Sequence, residues 1–142
     1  DWDFLCRVKE RLGEITVVGS GDMFDPHQME KMLKMSGLDG LLIARGAIGN
    51  PWIFRELKAL LKGGQLPEKP SLREQAEVII SHFQLVRRVF DEKRSIRYLR
   101  KFLANYCKLH PQRKKAHLDL MKVEKSEELL HQINKWYLNQ AA

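Results

Sequence analysis

The sequence predicts an α/β segment followed by an all-α segment. Up to about residue 62, β-branched or aliphatic runs of four or five residues alternate with apolar stripes at helical spacing. A glycine-rich turn follows each such run. Beyond a Gly/Pro-rich stretch at 63–70, the apolar residues recur only at helical spacing. The expected organisation is an α/β segment at 1–62, a linker at 63–70 and a helical bundle at 71–142.

Residues 2–12 place Trp2, Leu5, Val8 and Leu12 on one helical face, and Gly13 stops them. Ile15-Thr16-Val17-Val18 suits a short buried parallel strand. The loop Gly19-Ser20-Gly21-Asp22-Met23-Phe24 follows, and Asp25-Pro26 opens a helix, with Asp as N-cap and Pro at the first helical position. Met29, Met32 and Leu33 form its stripe and Gly37 closes it. Gly40-Leu41-Leu42-Ile43-Ala44 is the second strand. After Arg45-Gly46-Ala47-Ile48-Gly49, Asn50-Pro51 repeats the cap-plus-proline start of a helix whose buried face is Ile53, Phe54, Leu57, Leu60 and Leu61. Parallel strands joined through helices imply right-handed crossovers. Two strands make no stable sheet by themselves, so neighbours outside this chain are expected. The chain also starts without Met inside an amphipathic helix, which reads as a piece of a longer protein; its exposed sheet edge predicts self-association or a rearranged packing.

In the second segment Ser71-Leu72-Arg73-Glu74 is a capping box leading a helix with Ala76, Ile79, Phe83, Val86 and Phe90 inward. A second helix spans about 95–109 before Pro111, and short helical material follows at 112–121. Ser126 caps a last helix carrying Leu129, Leu130, Ile133, Trp136 and Tyr137.

Of 142 residues, 25 are Lys or Arg and 18 Asp or Glu, a net charge of +7. Residues 1–70 hold 10 basic and 10 acidic side chains, so the excess lies entirely in 71–142, with 15 basic and 8 acidic. From Lys93 to Lys115 there is no acid. On a wheel of about 100° per residue, Ile96, Leu99, Leu103 and Tyr106 cluster on one side of the second helix. Arg94, Arg97, Lys101 and Lys108 cluster opposite, with Arg100 at the flank. With Arg113, Lys114 and Lys115 beyond, this is a candidate polyanion-binding surface. No apolar run reaches the ~20 residues of a membrane span, and the start is no signal peptide. Cys6 and Cys107 form neither a disulfide framework nor a zinc site, which points to a reducing, cytoplasmic setting. The five histidines lack metal-ligand spacing and receive no role.

Chemistry concentrates in the two turns that follow the strands. Gly19 and Gly21, and Gly46 and Gly49, allow backbone N–H groups to approach an anion, and Arg45 adds a charge-assisted contact. In a (β/α)8 TIM barrel, adjacent loops at the strand C-termini build a phosphate site. Two such units, followed by loss of the α/β pattern, read as the last two βα units of a barrel followed by a small helical bundle domain.

Val18-Gly19-Ser20-Gly21-Asp22, the run Gly40-Leu41-Leu42-Ile43-Ala44-Arg45-Gly46-Ala47-Ile48-Gly49-Asn50-Pro51-Trp52, and Arg100-Lys101-Phe102-Leu103-Ala104-Asn105-Tyr106 together resemble the carboxyl-terminal part of the tRNA-dihydrouridine synthases. That family pairs a "GNGD" turn with an "IGRGALGNPW" turn and carries an "RKHLxWY" segment. The resemblance implies a flavoprotein oxidoreductase in which FMN, reduced by NADPH, reduces uridine in tRNA. It places the flavin-phosphate contacts on Ser20, Gly21, Asp22, Ala44, Arg45 and Gly46. It gives tRNA binding to the helical domain, where Arg94, Arg97, Arg100, Lys101, Lys108, Arg113, Lys114 and Lys115 are the candidates. Ser20 stands where the family has Asn, Ala44 where it has Gly, and Phe102 where it has His. The family's catalytic cysteine lies on an earlier barrel loop, and no such motif is in this sequence. Cys6 and Cys107 therefore read as small hydrophobes, and the chain alone is expected to lack turnover. The alternatives are another barrel enzyme with a phosphate-bearing ligand, and a non-catalytic helical RNA-binding module.

Overall fold

The structure, a computed structural model, describes residues 2–139. Asp1, at the head of the α/β segment, and residues 140–142, at the end of the helical one, lie outside the described residues. The chain divides into two compact units, residues 1–68 and 69–142. Among the described residues no helix is long and apolar enough to cross a membrane.

In the first unit, helix α1 (Trp2–Leu12) precedes strand β1 (Val18–Ser20), helix α2 (Pro26–Ser36), strand β2 (Gly40–Leu42), a 3-10 turn (Arg45–Ala47) and helix α3 (Ile53–Leu61). The strands pair in parallel, with Val18 opposite Gly40, Gly19 opposite Leu41 and Ser20 opposite Leu42. The start of α2 follows the expected chemistry: the Asp25 carboxylate accepts from the His27 N–H at 3.2 Å and Pro26 takes the first helical position. Gly37, at φ 64°, ends the helix in the left-handed conformation. Met23, Met29, Ile53 and Leu57 form the core, with Trp2, Leu41, Ile43 and Ala47 packed against it.

Three expectations for this unit are corrected. The first strand lies at Val18–Ser20, displaced from Ile15–Val18. Lys9 Nζ draws in the carbonyls of Gly13 (2.9 Å) and Ile15 (3.1 Å), and Asp39 Oδ2 takes the Val17 N–H at 2.8 Å. Those backbone groups are thus committed before the ladder begins. Lys9 and Asp39 are themselves bonded at 2.8 Å, and that ammonium, followed by the Val17 amide, holds the Asp39 carboxyl below its ordinary range. Second, Asn50 caps nothing and α3 starts at Ile53. Successive i→i+3 bonds satisfy the turn with backbone alone, from Ala47 N to Ala44 O (3.1 Å) through Ile53 N to Asn50 O (3.3 Å). Third, Phe54 and Leu61 are exposed while Ile53, Leu57 and Leu60 are buried. At ~100° per residue the buried three span only a narrow arc, and Phe54 and Leu61 fall on its flank.

The second unit comprises helices α4 (Leu72–Arg87), α5 (Glu92–Tyr106), α6 (Arg113–Lys122) and α7 (Ser126–Ile133). A 3-10 turn (Cys107–Leu109) follows α5, and a π-helical turn (Asn134–Leu138) follows α7. The capping box forms as expected, with Glu74 N to Ser71 Oγ at 3.1 Å and Ser71 N to Glu74 Oε2 at 2.7 Å. The start of α5 is earlier than the sequence suggested, because Asp91 accepts from the Arg94 N–H at 2.8 Å and caps it. Ser126 is the first residue of α7 and not its cap: its N–H donates to Glu92 at 2.9 Å, while Glu128 reaches back to the Glu124 N–H at 2.8 Å. The core gathers Ala76, Ile79 and Phe83 from α4, Ile96, Leu99, Leu103 and Tyr106 from α5, Ala116 and Leu120 from α6, and Leu129 and Ile133 from α7. Trp136 and Tyr137 complete it, while Leu130 faces solvent and Phe90 is half-buried beyond the end of α4. A fully buried side chain such as Leu99 contributes about 2 kcal/mol through burial.

Two polar ties hold the C-terminal turn. His110 is buried; its Nδ1 accepts from the Gln112 N–H at 2.9 Å, so Nε2 is the donor to the Trp136 carbonyl at 2.7 Å. Asp119 accepts from Lys135 Nζ at 2.7 Å and from Trp136 Nε1 at 3.2 Å, and these donors, Lys135 first, hold its carboxyl below the ordinary range.

His110→Ala leaves the Trp136 carbonyl without its buried donor and the Gln112 N–H without its acceptor, and should lower unfolding free energy by about 2 kcal/mol, read from urea denaturation. For Asp119 the sign is that of a depressed carboxylate. Its contribution is fully present above the unfolded pKa of about 4 and is lost as pH falls through the lower folded value. Asp119→Asn should therefore melt below the parent chain at pH 7, and the two melting temperatures should converge under acid.

Candidate functional site

Because β1 and β2 run in the same direction and in register, their C-terminal ends lie side by side. The two turns leaving them converge: Ser20, Gly21, Asp22, Ala44 and Arg45, with Met23 and Leu42, line one small cavity of about 80 Å³. Gly46 stands beside it. A Cβ on Gly46 would fall 1.8 Å from the Met23 carbonyl oxygen, so only glycine lets the second turn lie against the first. Asp22 is the single non-glycine residue with positive φ among the described residues, at 31°. That conformation aims its carboxylate across the gap at the Arg45 guanidinium, and the two form an ion pair. Both partners are largely exposed, so the pair is worth at most about 1 kcal/mol and an incoming anion can compete for the guanidinium. One Arg45 nitrogen engages Asp22; the fork geometry leaves other donors for a second anion. The Phe24 ring lies 6.0 Å from the guanidinium and flanks it. Phe24, Met23 and Leu42 were not foreseen as neighbours of this site; their apolar character alone gave no signal.

On the helical unit, Arg94, Arg97, Lys101 and Lys108 are exposed on α5 and the turn after it, and Arg113, Lys114 and Lys115 are exposed at the start of α6. A hollow of about 260 Å³ sets Lys108 against Arg113, Lys114 and His117, so cations from the turn after α5 and from α6 share one concavity. The first turn of α6 contains no acid. Three cations at a helix N-terminus oppose the macrodipole, each by roughly 0.3–1 kcal/mol at low salt, a cost that a bound anion would offset.

Arg100 behaves differently. It is half-buried, its Nη2 donates to the Val123 carbonyl at 2.5 Å, and its Nε is buried without a partner. It ties α5 to the turn between α6 and α7. The fold also brings acids near part of the cationic row. A hollow of about 390 Å³ contains Arg97, Arg100, Lys93 and Lys125, but also Glu92 and Glu124. Acids thus line the hollow at Arg97, whereas the hollow at Lys108 and Arg113 is lined by none among the described residues.

Phe102 packs edge-on against His82, ring centroids 4.9 Å apart. His82 bonds the Tyr106 hydroxyl at 3.1 Å, and burial pushes its pKa down, which keeps the imidazole neutral. Cys107 is buried beneath Tyr137, whose hydroxyl lies 3.8 Å from Sγ. Burial raises its thiol pKa, so it is no nucleophile at neutral pH. Cys6 is partly buried on α1.

Comparison with known proteins adds the family. The family described as Dihydrouridine synthase (Dus) matches residues 1–142. A probable tRNA-dihydrouridine synthase of Mycobacterium tuberculosis (strain CDC 1551 / Oshkosh) is 38% identical over 106 residues, 75% of this chain and 27% of that protein. tRNA-dihydrouridine synthase B of Pasteurella multocida (strain Pm70) is 31% identical over 106 residues, 75% of this chain and 32% of that protein. tRNA-dihydrouridine synthase B of Serratia marcescens is 28% identical over 139 residues, 98% of this chain and 41% of that protein. The chain thus spans between about a quarter and two fifths of the length of these relatives. With its paired strand-end turns and its cation-bearing helices, it belongs to the dihydrouridine synthase family.

Proposed function

We propose that this chain is the carboxyl-terminal part of a cytoplasmic, flavin-dependent tRNA-dihydrouridine synthase. In this reading residues 1–62 are the last two βα units of a (β/α)8 barrel, and residues 71–142 are the tRNA-binding helical domain. The observation that carries it is the convergence of two strand-end turns on one cavity walled by Arg45. The cavity, of about 80 Å³, is lined by two glycine-bearing turns and a guanidinium, the chemistry that holds a phosphate group. The residues therefore fit the phosphate end of FMN. When bound, FMN supplies hydride transfer to the C5–C6 double bond of uridine, with NADPH as the reductant.

Within that reading this chain's residues bind and orient. Arg45 would hold the phosphate through the donors not engaged by Asp22, Ser20, Gly21, Ala44 and Gly46 would offer backbone N–H groups, and Asp22 would orient the guanidinium. Ala44 lines the cavity. The proton donor and the surface for the flavin ring are assigned to other barrel units, which would also cover the exposed apolar side chains of Val18 and Leu42 on the two strands. Uridine reduction is accordingly not expected from residues 1–142 alone. The helical unit contributes tRNA affinity through Arg94, Arg97, Lys101, Lys108, Arg113, Lys114 and Lys115, with Arg100 in a positioning role.

Arg45→Ala in the full-length enzyme should weaken FMN binding about tenfold or more, the value of one charge-assisted hydrogen bond; flavin fluorescence titration measures it, and unchanged affinity removes Arg45 from the site. For RNA, Lys101→Ala and Lys108→Ala should each flatten the dependence of log K on log salt by about one unit. Arg100→Ala should instead lower the melting temperature of the helical unit. Salt-independent tRNA binding would count against the helical domain's role. Retained tRNA binding in a full-length protein without flavin affinity would favour the non-catalytic RNA-binding module.

A further inference from the structure

A row of rings runs along the seam between α4 and α5. Tyr98, Phe102 and Tyr106 recur every fourth residue on α5, and His82 and Phe90 join them from α4 and its C-terminal end. His82 and Tyr106 lie 6.0 Å apart by ring centroid, His82 and Phe102 4.9 Å, Phe102 and Tyr98 5.4 Å, and Tyr98 and Phe90 5.7 Å. Tyr106 belongs to the buried core and Phe102 packs against it, but Tyr98 and Phe90 lie outside it. Core packing therefore explains the inner end of the row and not the outer end, where Tyr98 is 37% exposed.

That outer end carries cations. The Arg94 guanidinium sits 4.3 Å from the centroid of Phe90, and Lys101 Nζ sits 5.6 Å from that of Tyr98. No acid occurs from Lys93 to Lys115. A partly exposed aromatic side chain flanked by cations is what an unpaired base and its adjoining phosphates require. We propose that Tyr98, braced between Phe90 and Phe102, is a stacking site for an unpaired nucleobase of RNA, with Arg94 and Lys101 on the adjoining phosphates. The proposal rests on the RNA-binding reading of the helical unit and deepens it.

Lys101 covers Tyr98 only through an exposed cation–π contact, which is weaker than base stacking. An arriving base displaces the ammonium, and the displaced ammonium becomes free to meet a phosphate. Every base has a π-face, so the site selects unpaired over paired RNA and does not read base identity. The contact is apolar and adds no counterion release, which gives it a signature distinct from that of the phosphate-binding cations.

The test uses the full-length enzyme, an unmodified tRNA transcript and fluorescence anisotropy over a range of salt, with Tyr98→Leu, Tyr98→Phe and Lys101→Ala. Tyr98→Leu should weaken binding about tenfold at every salt concentration with the slope unchanged, and Tyr98→Phe should keep affinity within about twofold, since the ring face is retained. Lys101→Ala should flatten the slope. A single-stranded oligonucleotide bearing 2-aminopurine should be quenched by the parent enzyme and by Tyr98→Phe but not by Tyr98→Leu. Unchanged tRNA affinity in Tyr98→Leu, or a loss accompanied by a flatter slope, overturns the stacking site while leaving the RNA reading intact. Absence of 2-aminopurine quenching by the parent enzyme overturns it without recourse to any variant. A parent enzyme that does not bind tRNA at all overturns both readings.

Discussion

Two backbones meet at Gly46 with space for a hydrogen atom and nothing larger. The Met23 carbonyl occupies the position where any other residue would place its Cβ, and the rest of the loop site follows from that approach. With the turns pressed together, Arg45 reaches Asp22, and the seven lining residues enclose one cavity. The approach depends in turn on strand register. Sliding β1 by one residue against β2 would turn its side chains to the opposite face and carry the two turns past one another. Lys9 and Asp39 oppose such a slip, since one ammonium–carboxylate pair gathers the Gly13 and Ile15 carbonyls and the Val17 amide at the point where pairing begins.

The helical unit solves a related problem by other means. Its cations project usefully only if α5 keeps its rotation, and apolar packing alone permits small rolls about a helix axis. Polar contacts at both ends of α5 remove that freedom. Glu92 holds the Ser126 N–H, Arg100 holds the Val123 carbonyl, and Tyr106 is bonded to His82. Charge on this helix is accordingly divided between two tasks. Arg100 serves the fold, while Arg94, Arg97 and Lys101 remain exposed.

What could be read from sequence was what local chemistry decides. Asp25-Pro26 and Ser71 with Glu74 act within one helical turn, so their residue types announce the structure they make. The alternation of apolar residues in α5 likewise separates its core side from its cationic side. The displaced start of β1 was hidden because it depends on Lys9 and Asp39, thirty residues apart. The fate of Arg100 was hidden because its acceptor is a main-chain carbonyl twenty-three residues away, which has no side-chain signature. The same holds for Glu124, which joins the hollow around Arg97 only through the α6–α7 turn. Glycine spacing marked the two turns because it records a backbone requirement directly, whereas Ser20, Asp22 and Ala44 were marked only by the family resemblance, and Met23, Phe24 and Leu42 carry no comparable mark.

The π-helical turn at Asn134–Leu138 has its own consequence. Its wider ring closes through the Asn139 N–H on the Asn134 carbonyl at 2.8 Å, and Trp136 and Tyr137 are both buried beside His110. A π turn accommodates one residue more than the α-helical ladder would, and so resets the angular phase of everything after it. Shortening this stretch by one residue would restore a regular helix while swinging one of the two rings towards water and withdrawing the carbonyl that His110 needs. Chain length in this turn is therefore a constraint beside residue identity, since Trp136 and Tyr137 keep their buried places only at this spacing.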